Sequence, residues 1–332
     1  MESSYTPTYS SKSLLDALEF VRPERKALIE NFLYEKTSML WYAPDGIGKS
    51  VISLQAAMQS TVKDTKVFGE FHVPEACKVL YMQLERPPEE TFERMKHMRK
   101  GIPFDADNFG LSVALQGINL QNRDGDKEAL DIMRTVIGEI KFKPQIIVFD
   151  PIYTLCHEGL ESVKACNAIT NFFRVMQLQQ GCAIIAISHA NRGMRDQETG
   201  GRKGEDMYGN RFLSAHFGGV YKIESIKEGA GTRFKLEKSS LKNLDKTFDL
   251  FYEPQYYRSM ILDDGKVTKK DRLQNFLQTQ RSMDKPFSFE DMKTISLLSD
   301  SALRGYLSGE LKEKLTVVDK LNKGKVLYKF SG

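Results

Sequence analysis

The chain alternates short, uninterrupted apolar runs with longer segments in which apolar residues recur every three or four positions. The uninterrupted runs end at polar, Pro or Gly residues, which is typical of strands buried on both faces. They are SMLWYA (38–43), KVLYMQLE (78–85), PQIIVFD (144–150) and CAIIAISH (182–189). The segments between them predict helices at KSVISLQAAMQSTV (49–62), TFERMKHMRK (91–100), DKEALDIMRTVIGEI (126–140) and VKACNAITNFFRVMQLQQ (163–180). This alternation predicts an α/β fold with a mostly parallel twisted sheet and helices on both faces.

The pattern differs on either side of this region. Upstream, SLLDALEFV (13–21) and ERKALIENFLYE (24–35) have helical spacing of apolar residues, and we expect helices there. Downstream of residue 189, three strands joined by turns are predicted at FGGVYKIESI (217–226), TRFKLEKSS (232–240) and TFDLFYEP (247–254). We expect them to extend the sheet in the antiparallel sense.

The last part of the chain predicts a small separate unit. A helix at about 270–280 precedes the segments SFEDMKTIS (288–296) and SDSALRGYLSGELKEK (299–314), each led by Ser, and LTVVDKLNKGKVLYKF (315–330) predicts a hairpin. Three helices followed by a hairpin are the layout of a winged helix-turn-helix. The predicted organisation is an N-terminal arm and helix (1–27), an α/β domain (28–256), a linker (257–268) and a winged helix-turn-helix domain (269–332).

Composition adds limits on location and partners. The 332 residues can bury one large core and a smaller one, and four cysteines without C-x-x-C spacing predict reduced thiols. No window is apolar enough to span a bilayer and the N-terminus lacks a signal-peptide core, so we expect a cytoplasmic protein with no membrane partner. The net charge is only +4, but residues 266–332 hold 14 Lys/Arg against 8 Asp/Glu. This basic segment predicts an anionic partner, with a Lys-rich solvated surface as the alternative.

The segment APDGIGKS (43–50) follows a predicted strand and opens a predicted helix, which is the context of a phosphate-binding loop. Lys49 would reach the β- and γ-phosphates of ATP, and the hydroxyl of Ser50 would bind Mg²⁺. Ala43 stands where the usual pattern has its first glycine, and this costs little unless the position needs a positive φ. The predicted cofactor-binding residues of the loop are Ala43, Asp45, Gly46, Ile47, Gly48, Lys49, Ser50 and Val51.

Three later strands end in side chains that suit hydrolysis of ATP. Asp150 follows IIVF, about 100 residues after the loop, where an aspartate holds Mg²⁺ in P-loop enzymes. Glu85 ends the strand after the loop helix and is the candidate base that activates water. His189 ends another buried strand and is the candidate sensor of the γ-phosphate. The alternative for Glu85 is a solvated strand-end carboxylate, and for His189 a satisfied strand-end histidine.

Two basic regions are candidates for contact with nucleic acid. The segment 190–210 is long, contains glycines and carries Arg192, Arg195, Arg202 and Lys203, which suits contact with a phosphate backbone. An ordinary surface loop is the alternative. In the predicted winged helix, the candidate contacts are Arg304, Lys312, Lys323 and Lys325, and protein binding is the alternative there.

Together these motifs resemble the RecA-like P-loop ATPases. The chain looks most like the RepA-type AAA_25 family, which is related to the DnaB-type hexameric replicative helicases. The resemblance rests on WYAPDGIGKS, FGEFHVPEACKVLYMQLER, IIVFDPIYTL, AIIAISHANR and EDMYGNRFLSAHFGGVYKI, and it covers roughly residues 28–254. It implies a RecA-like core that forms a ring and binds ATP and Mg²⁺ between subunits.

The resemblance also implies roles for residues outside the loop. Arg94 lies where relatives stack a side chain on adenine. A neighbouring subunit normally donates an arginine finger, for which Arg211 is the first candidate and Lys238 the second. Helicase relatives often carry Lys-x-Arg where this chain reads Lys238-Ser239-Ser240, and this departure weakens the case for vigorous hydrolysis.

The leading hypothesis is an ATP-hydrolysing, DNA-binding protein that acts in DNA replication, as a hexameric DNA helicase or replication ATPase of a plasmid, phage or mobile element. One alternative is a non-motor ATPase that assembles on DNA, such as a recombinase or loader. The other is a regulator that binds duplex DNA through its winged helix and uses ATP to control oligomerisation.

Overall fold

The structure is a computed structural model that describes residues 25–113, 118–121, 125–156, 158–160, 162–189, 211–226, 231–240, 247–253, 257–261, 273, 277, 286–296, 298–309, 311–321 and 325–330. The first strands are β1 (Ala27–Ile29), β2 (Leu33–Tyr34), β3 (Ser38–Ala43), β4 (Lys66–Val67), β5 (Phe71–His72), β6 (Val79–Gln83), β7 (Phe109–Val113) and β8 (Ile146–Asp150). The others are β9 (Ala183–His189), β10 (Gly219–Ser225), β11 (Gly231–Ser239), β12 (Phe248–Glu253), β13 (Arg258–Ile261), β14 (Phe287–Ser288), β15 (Leu315–Leu321) and β16 (Lys325–Phe330). The helices are α1 (Lys49–Gln59), α2 (Pro88–Met98), α3 (Gly125–Ile140), α4 (Val163–Gln180), α5 (Arg211–Ala215), α6 (Phe289–Ser296) and α7 (Asp300–Ser308).

A nine-stranded sheet forms the centre, in the order β13-β12-β11-β10-β3-β9-β8-β6-β7. The six strands from β10 to β7 are parallel, which confirms the expected α/β fold. Every residue of β3, β6 and β8 is buried, as the uninterrupted apolar runs predict. One core on the first face includes residues of α1, such as Ile52, and the core on the other face includes residues of α3 and α4, such as Met133 and Phe172.

The helix predicted at 24–35 is wrong, because this segment forms the antiparallel hairpin of β1 and β2. Its apolar residues come in two adjacent pairs separated by two polar residues, a spacing that suits one helix face or two short strands. Asn31 adopts a left-handed conformation (φ 56°) in the turn, which asparagine tolerates well. Phe32 then packs against Trp41 and Phe71 in the core.

The antiparallel extension is confirmed, since β11, β12 and β13 each pair with the preceding strand in this sense. The sheet also reaches four residues into the segment 257–268 that the sequence assigns to a linker. The side chain of Gln55 on α1 stabilises this last strand by accepting from Ser259 N at 2.6 Å and donating to Ser259 O at 2.7 Å. A buried amide therefore satisfies backbone groups at this edge of the sheet.

The C-terminal residues form a small unit around a core of their own. Phe287, Met292, Leu303 and Leu311 are buried together in this core. Strands β14, β16 and β15 pair in that order as an antiparallel sheet, and the predicted hairpin is confirmed. The side chain of Ser299 accepts from Ala302 N and caps α7. This helix ends at Ser308, six residues before the end of the segment predicted for it.

The termini and several predicted features lie outside the described residues. Among them are most of the N-terminal arm and most of the helix at 270–280. In the part of the chain that the structure describes, no helix is long and apolar enough to cross a membrane. All four cysteines are buried, and none takes part in a disulfide.

Candidate nucleotide site

The carboxyl ends of four neighbouring parallel strands place the candidate residues at one edge of the sheet. Ala43, at the end of β3, is in register with His189 at the end of β9. Asp150, at the end of β8, is in register with Gln83 on β6, two residues before Glu85. Ligand sites in open α/β sheets lie at this edge, where the loops after the strands meet.

The loop between β3 and α1 has the backbone geometry that its glycines predict. Gly46 and Gly48 have φ of 82° and 91°, and a Cβ added at either would meet no atom within 4 Å. These positions therefore need glycine for its conformation and not for space. Ala43 is the buried last residue of β3 and does not have a positive φ. The missing first glycine therefore imposes no strain.

Lys49 is nearly buried at the start of α1, with 7% of its surface exposed. Its Nζ donates to the carbonyl oxygens of Ala43 at 2.8 Å and Pro44 at 2.9 Å, and lies 3.5 Å from His189 Nδ1. Burial lowers the pKa of Lys49, while the carboxylates of Asp45, Asp150 and Glu85 act in the opposite direction. The ammonium is thus surrounded by the candidate residues of all four strand ends.

Asp150 is 2% exposed and is held by hydroxyl groups. The Tyr81 hydroxyl donates to its Oδ2 at 2.6 Å, and the Ser50 side chain is also hydrogen-bonded to it. Burial raises the pKa of Asp150, and the bonds from Tyr81 and Ser50 offset this in part. Sequence reasoning missed Tyr81. Its signal was a hydroxyl within a strand that is otherwise apolar, because a buried hydroxyl needs a partner.

Glu85 is exposed, in contrast, and its partner is Tyr153 in the turn after β8. The Tyr153 hydroxyl donates to Glu85 Oε1 at 2.6 Å, and its ring lies edge-on to His189 at 4.9 Å between centroids. Burial and this bond raise the pKa of Tyr153 above its usual value. The His189 ring in turn contacts the Asp45 carboxylate in the phosphate-binding loop. A continuous chain of contacts therefore runs from Glu85 to the loop.

The residues assigned by resemblance lie farther from this chain of contacts. Arg94 is half-buried on α2, and its charge opposes the rise in pKa that burial causes at Tyr81 and Tyr252. Lys238 donates to the carbonyl oxygens of Ser214 at 2.9 Å and Ala215 at 2.6 Å, and so caps the end of α5 in its own subunit. Arg211 begins α5, and its side chain lies outside the described residues.

The predicted nucleic-acid contacts are described only in part. Arg192, Arg195, Arg202, Lys203 and Lys323 lie outside the described residues, and Lys325 begins β16. Arg304 and Lys312 are exposed and line a groove of about 610 Å³ in the C-terminal unit. The floor of this groove is apolar, with Leu311 and Leu315 among its lining residues.

The residues present fit a magnesium nucleotide. The Ser50 hydroxyl and the Asp150 carboxylate are bonded to each other, and they are the hard oxygen donors that Mg²⁺ prefers. The left-handed glycines lead into the N-terminus of an eleven-residue helix, which favours a phosphate group. Lys49 adds the positive charge that phosphate oxygens need.

Comparison with known proteins gave one family and several distant structures. The AAA_25 family model, described as an AAA domain, matches residues 6–194, and this range contains the loop, Glu85, Asp150 and His189. No curated protein matches the chain. A KaiC-like protein from Pyrococcus horikoshii is 14% identical at a TM-score of 0.48, covering 71% of this chain and 94% of its own. A solved ATPase domain of another protein is 13% identical at a TM-score of 0.49, covering 69% of this chain and 86% of its own. The flagellar accessory protein FlaH from Methanocaldococcus jannaschii is 12% identical at a TM-score of 0.45, covering 69% of this chain and 90% of its own.

Proposed function

Because the chain belongs to the AAA_25 family of AAA domains, we propose that it hydrolyses ATP at the strand-end site and that hydrolysis serves an action on DNA. The observation that carries the first part is the meeting of Lys49, Ser50, Asp150, Glu85 and His189 at one edge of the sheet. P-loop enzymes need these five functions, namely a phosphate lysine, two metal ligands, a base and a sensor.

The side chains divide the work of hydrolysis between them. The loop backbone and Lys49 hold the phosphates, and Ser50 and Asp150 hold Mg²⁺, which neutralises charge on the phosphate oxygens when bound. Glu85 accepts the proton of the attacking water, and Tyr153 fixes one of its carboxylate oxygens. His189 touches both Tyr153 and Asp45, so it can relay the state of the γ-phosphate from the loop to the base.

The Lys49→Ala variant tests this assignment. We expect the turnover number for ATP to fall by about 100-fold or more, the typical effect of removing one group that stabilises transition-state charge. The matched control is Lys63→Ala, which removes an exposed lysine paired with Glu75 at 2.8 Å. ATP hydrolysis by Lys49→Ala at the wild-type rate, measured as phosphate release, contradicts the assignment.

For the action on DNA, we propose a ring-forming, hexameric replicative helicase or replication ATPase of a plasmid, phage or mobile element. The support is the resemblance of the motifs to that group and the basic residues after β9 and in the C-terminal unit. Arg211 is the preferred finger for a neighbour's nucleotide, because Lys238 is bonded to two carbonyls of its own subunit.

Three measurements test the helicase proposal together. We expect single-stranded DNA to stimulate ATP hydrolysis, a fork substrate to be unwound, and ring particles to form with a non-hydrolysable ATP analogue. Rings or filaments on DNA without unwinding would favour a recombinase or loader instead. Monomers without DNA stimulation would contradict both.

A second candidate is a regulator that binds duplex DNA and uses ATP to control oligomerisation. The favouring observation is the separate core of the C-terminal unit, whose two helices and three-stranded sheet suit a winged helix with Arg304 and Lys312 exposed. We expect replacement of both residues by Ala in the full chain to weaken duplex binding and its salt dependence. Lys293→Ala is the control, because that lysine is paired with Asp300 at 2.7 Å.

A further inference from the structure

Tyr81 occupies the space between the two residues assigned to Mg²⁺. It lies in the middle of β6, 1% exposed, on the face of the sheet that packs against α1. Its hydroxyl donates to Asp150 Oδ2 at 2.6 Å and lies 3.4 Å from the backbone oxygen of Ser50. One hydroxyl group therefore contacts both the β8 side and the α1 side of the metal site.

A second hydroxyl completes this arrangement. Ser53 Oγ is 2.8 Å from Tyr81 Oη and 3.3 Å from Ser50 O, and Ser53 is fully buried. A carboxylate only accepts hydrogen bonds, so the single proton of Tyr81 points to Asp150. Ser53 must then be the donor in its bond with Tyr81. The bonds run in one direction, from α1 through Tyr81 to the carboxylate.

We propose that Tyr81 is a positioning residue for magnesium, with Ser53 as its support. By occupying Oδ2, the Tyr81 hydroxyl fixes the rotation of the Asp150 carboxylate and leaves Oδ1 to face the metal. By bonding to Ser53, it sets the distance between β8 and the first turn of α1, which carries Ser50. This inference rests on the proposed role of Asp150 and Ser50 as magnesium residues.

A purely structural role is the competing explanation, because any buried carboxylate needs donors. The two roles differ in what a Tyr81→Phe variant changes. Phe keeps the ring that stacks on Phe109 at 6.5 Å and removes only the hydroxyl. A structural role predicts lower thermal stability alone. A positioning role predicts weaker magnesium binding as well, typically by 10- to 100-fold for a partner that orients a metal ligand.

The test measures binding and not turnover. A fluorescent ATP analogue is titrated onto the full chain with increasing Mg²⁺ and with a chelator, and Mn²⁺ binding is followed in parallel by electron paramagnetic resonance. We expect Tyr81→Phe to raise the half-saturating Mg²⁺ and Mn²⁺ concentrations by about tenfold. Its affinity for the analogue in chelator stays within about twofold of the wild type, because the loop and Lys49 are intact.

The chain offers a matched control in Tyr42→Phe. Tyr42 is 3% exposed in the same sheet, and its hydroxyl also donates to a carboxylate, that of Glu237. It should lose stability without any change in metal dependence. Ser53→Ala is a second variant that keeps the Tyr81–Asp150 bond, and we expect a shift in the same direction, smaller than that of Tyr81→Phe.

The outcomes are distinguishable. Unchanged metal dependence in both Tyr81→Phe and Ser53→Ala overturns the positioning role and leaves the proposed function intact. An equal shift in Tyr42→Phe also overturns it, since the effect would then follow stability. A wild-type chain that binds the analogue neither with Mg²⁺ nor in chelator overturns the proposed function, and the inference with it.

Discussion

The ends of the neighbouring strands β6 and β8 carry two carboxylates in opposite environments. Asp150 is almost fully buried and is bonded to Tyr81 and Ser50, whereas Glu85 is exposed and is bonded to Tyr153. A metal ligand benefits from a fixed carboxylate, because orientation is then set before the metal binds. A base must be reached by water and must exchange a proton. The two tyrosines thus serve one site in which one half is rigid and the other half is accessible.

Replacement of the exposed carboxylate should give the largest effect. We expect Glu85→Gln to lower the turnover number by about 100- to 10,000-fold, because the amide cannot accept the proton of water. Thermal stability should change little, since substitutions at exposed positions usually cost within about 0.5 kcal/mol. Phosphate release and a melting curve measure the two properties.

The control is Glu75→Gln, which removes an exposed carboxylate paired with Lys63 outside the site. ATP turnover by Glu85→Gln within about threefold of the wild type would mean that another group acts as the base.

Replacement of the buried carboxylate should move stability in the other direction. The net effect of its surroundings is to raise the pKa of Asp150, so burial outweighs the bonds from Tyr81 and Ser50 and the attraction of Lys49. The charged form is therefore disfavoured in the folded state. We expect Asp150→Asn to gain about 1 kcal/mol at neutral pH, or about 2–4 °C in melting temperature, while ATP turnover is lost.

The pH dependence follows from the sign of this shift. A group with a raised folded-state pKa stabilises the fold below its unfolded-state pKa, and this stabilisation is lost as the pH rises through the folded-state pKa. The advantage of Asp150→Asn should therefore be largest at neutral pH and disappear near pH 4. Melting temperatures in a metal chelator measure it. A variant less stable than the wild type at pH 7 would show that the charge is well compensated.

The contrast between the two carboxylates also separates what sequence can predict from what it cannot. Glu85, Asp150 and His189 were found because each ends a buried run, and parallel strands bring such ends to one edge. The Mg²⁺ and base roles followed from residue type. Their actual environments depend on packing between strands.

The two tyrosines illustrate this limit. Tyr81 and Asp150 are 69 positions apart, and Glu85 and Tyr153 are 68 apart, so no local pattern connects them. Only the register between β6 and β8 brings each pair together. The hairpin at 27–34 was missed for a different reason, because its apolar spacing satisfies the helical period as well as that of two short strands.

The smallest effect should come from Tyr153→Phe, which removes the bond to Glu85 and keeps the ring beside His189. A hydrogen bond to an exposed carboxylate is worth about 1 kcal/mol, which corresponds to about fivefold in rate. We expect the turnover number to fall by this factor at an unchanged KM and an unchanged half-saturating Mg²⁺ concentration. Steady-state kinetics with Mg²⁺ titrations measure all three. Since Tyr81→Phe should change the metal dependence instead, the pair of variants assigns one tyrosine to each half of the site. A faster Tyr153→Phe enzyme would show that the bond restrains the base, and a shift in its metal dependence would show that the two halves are not separate.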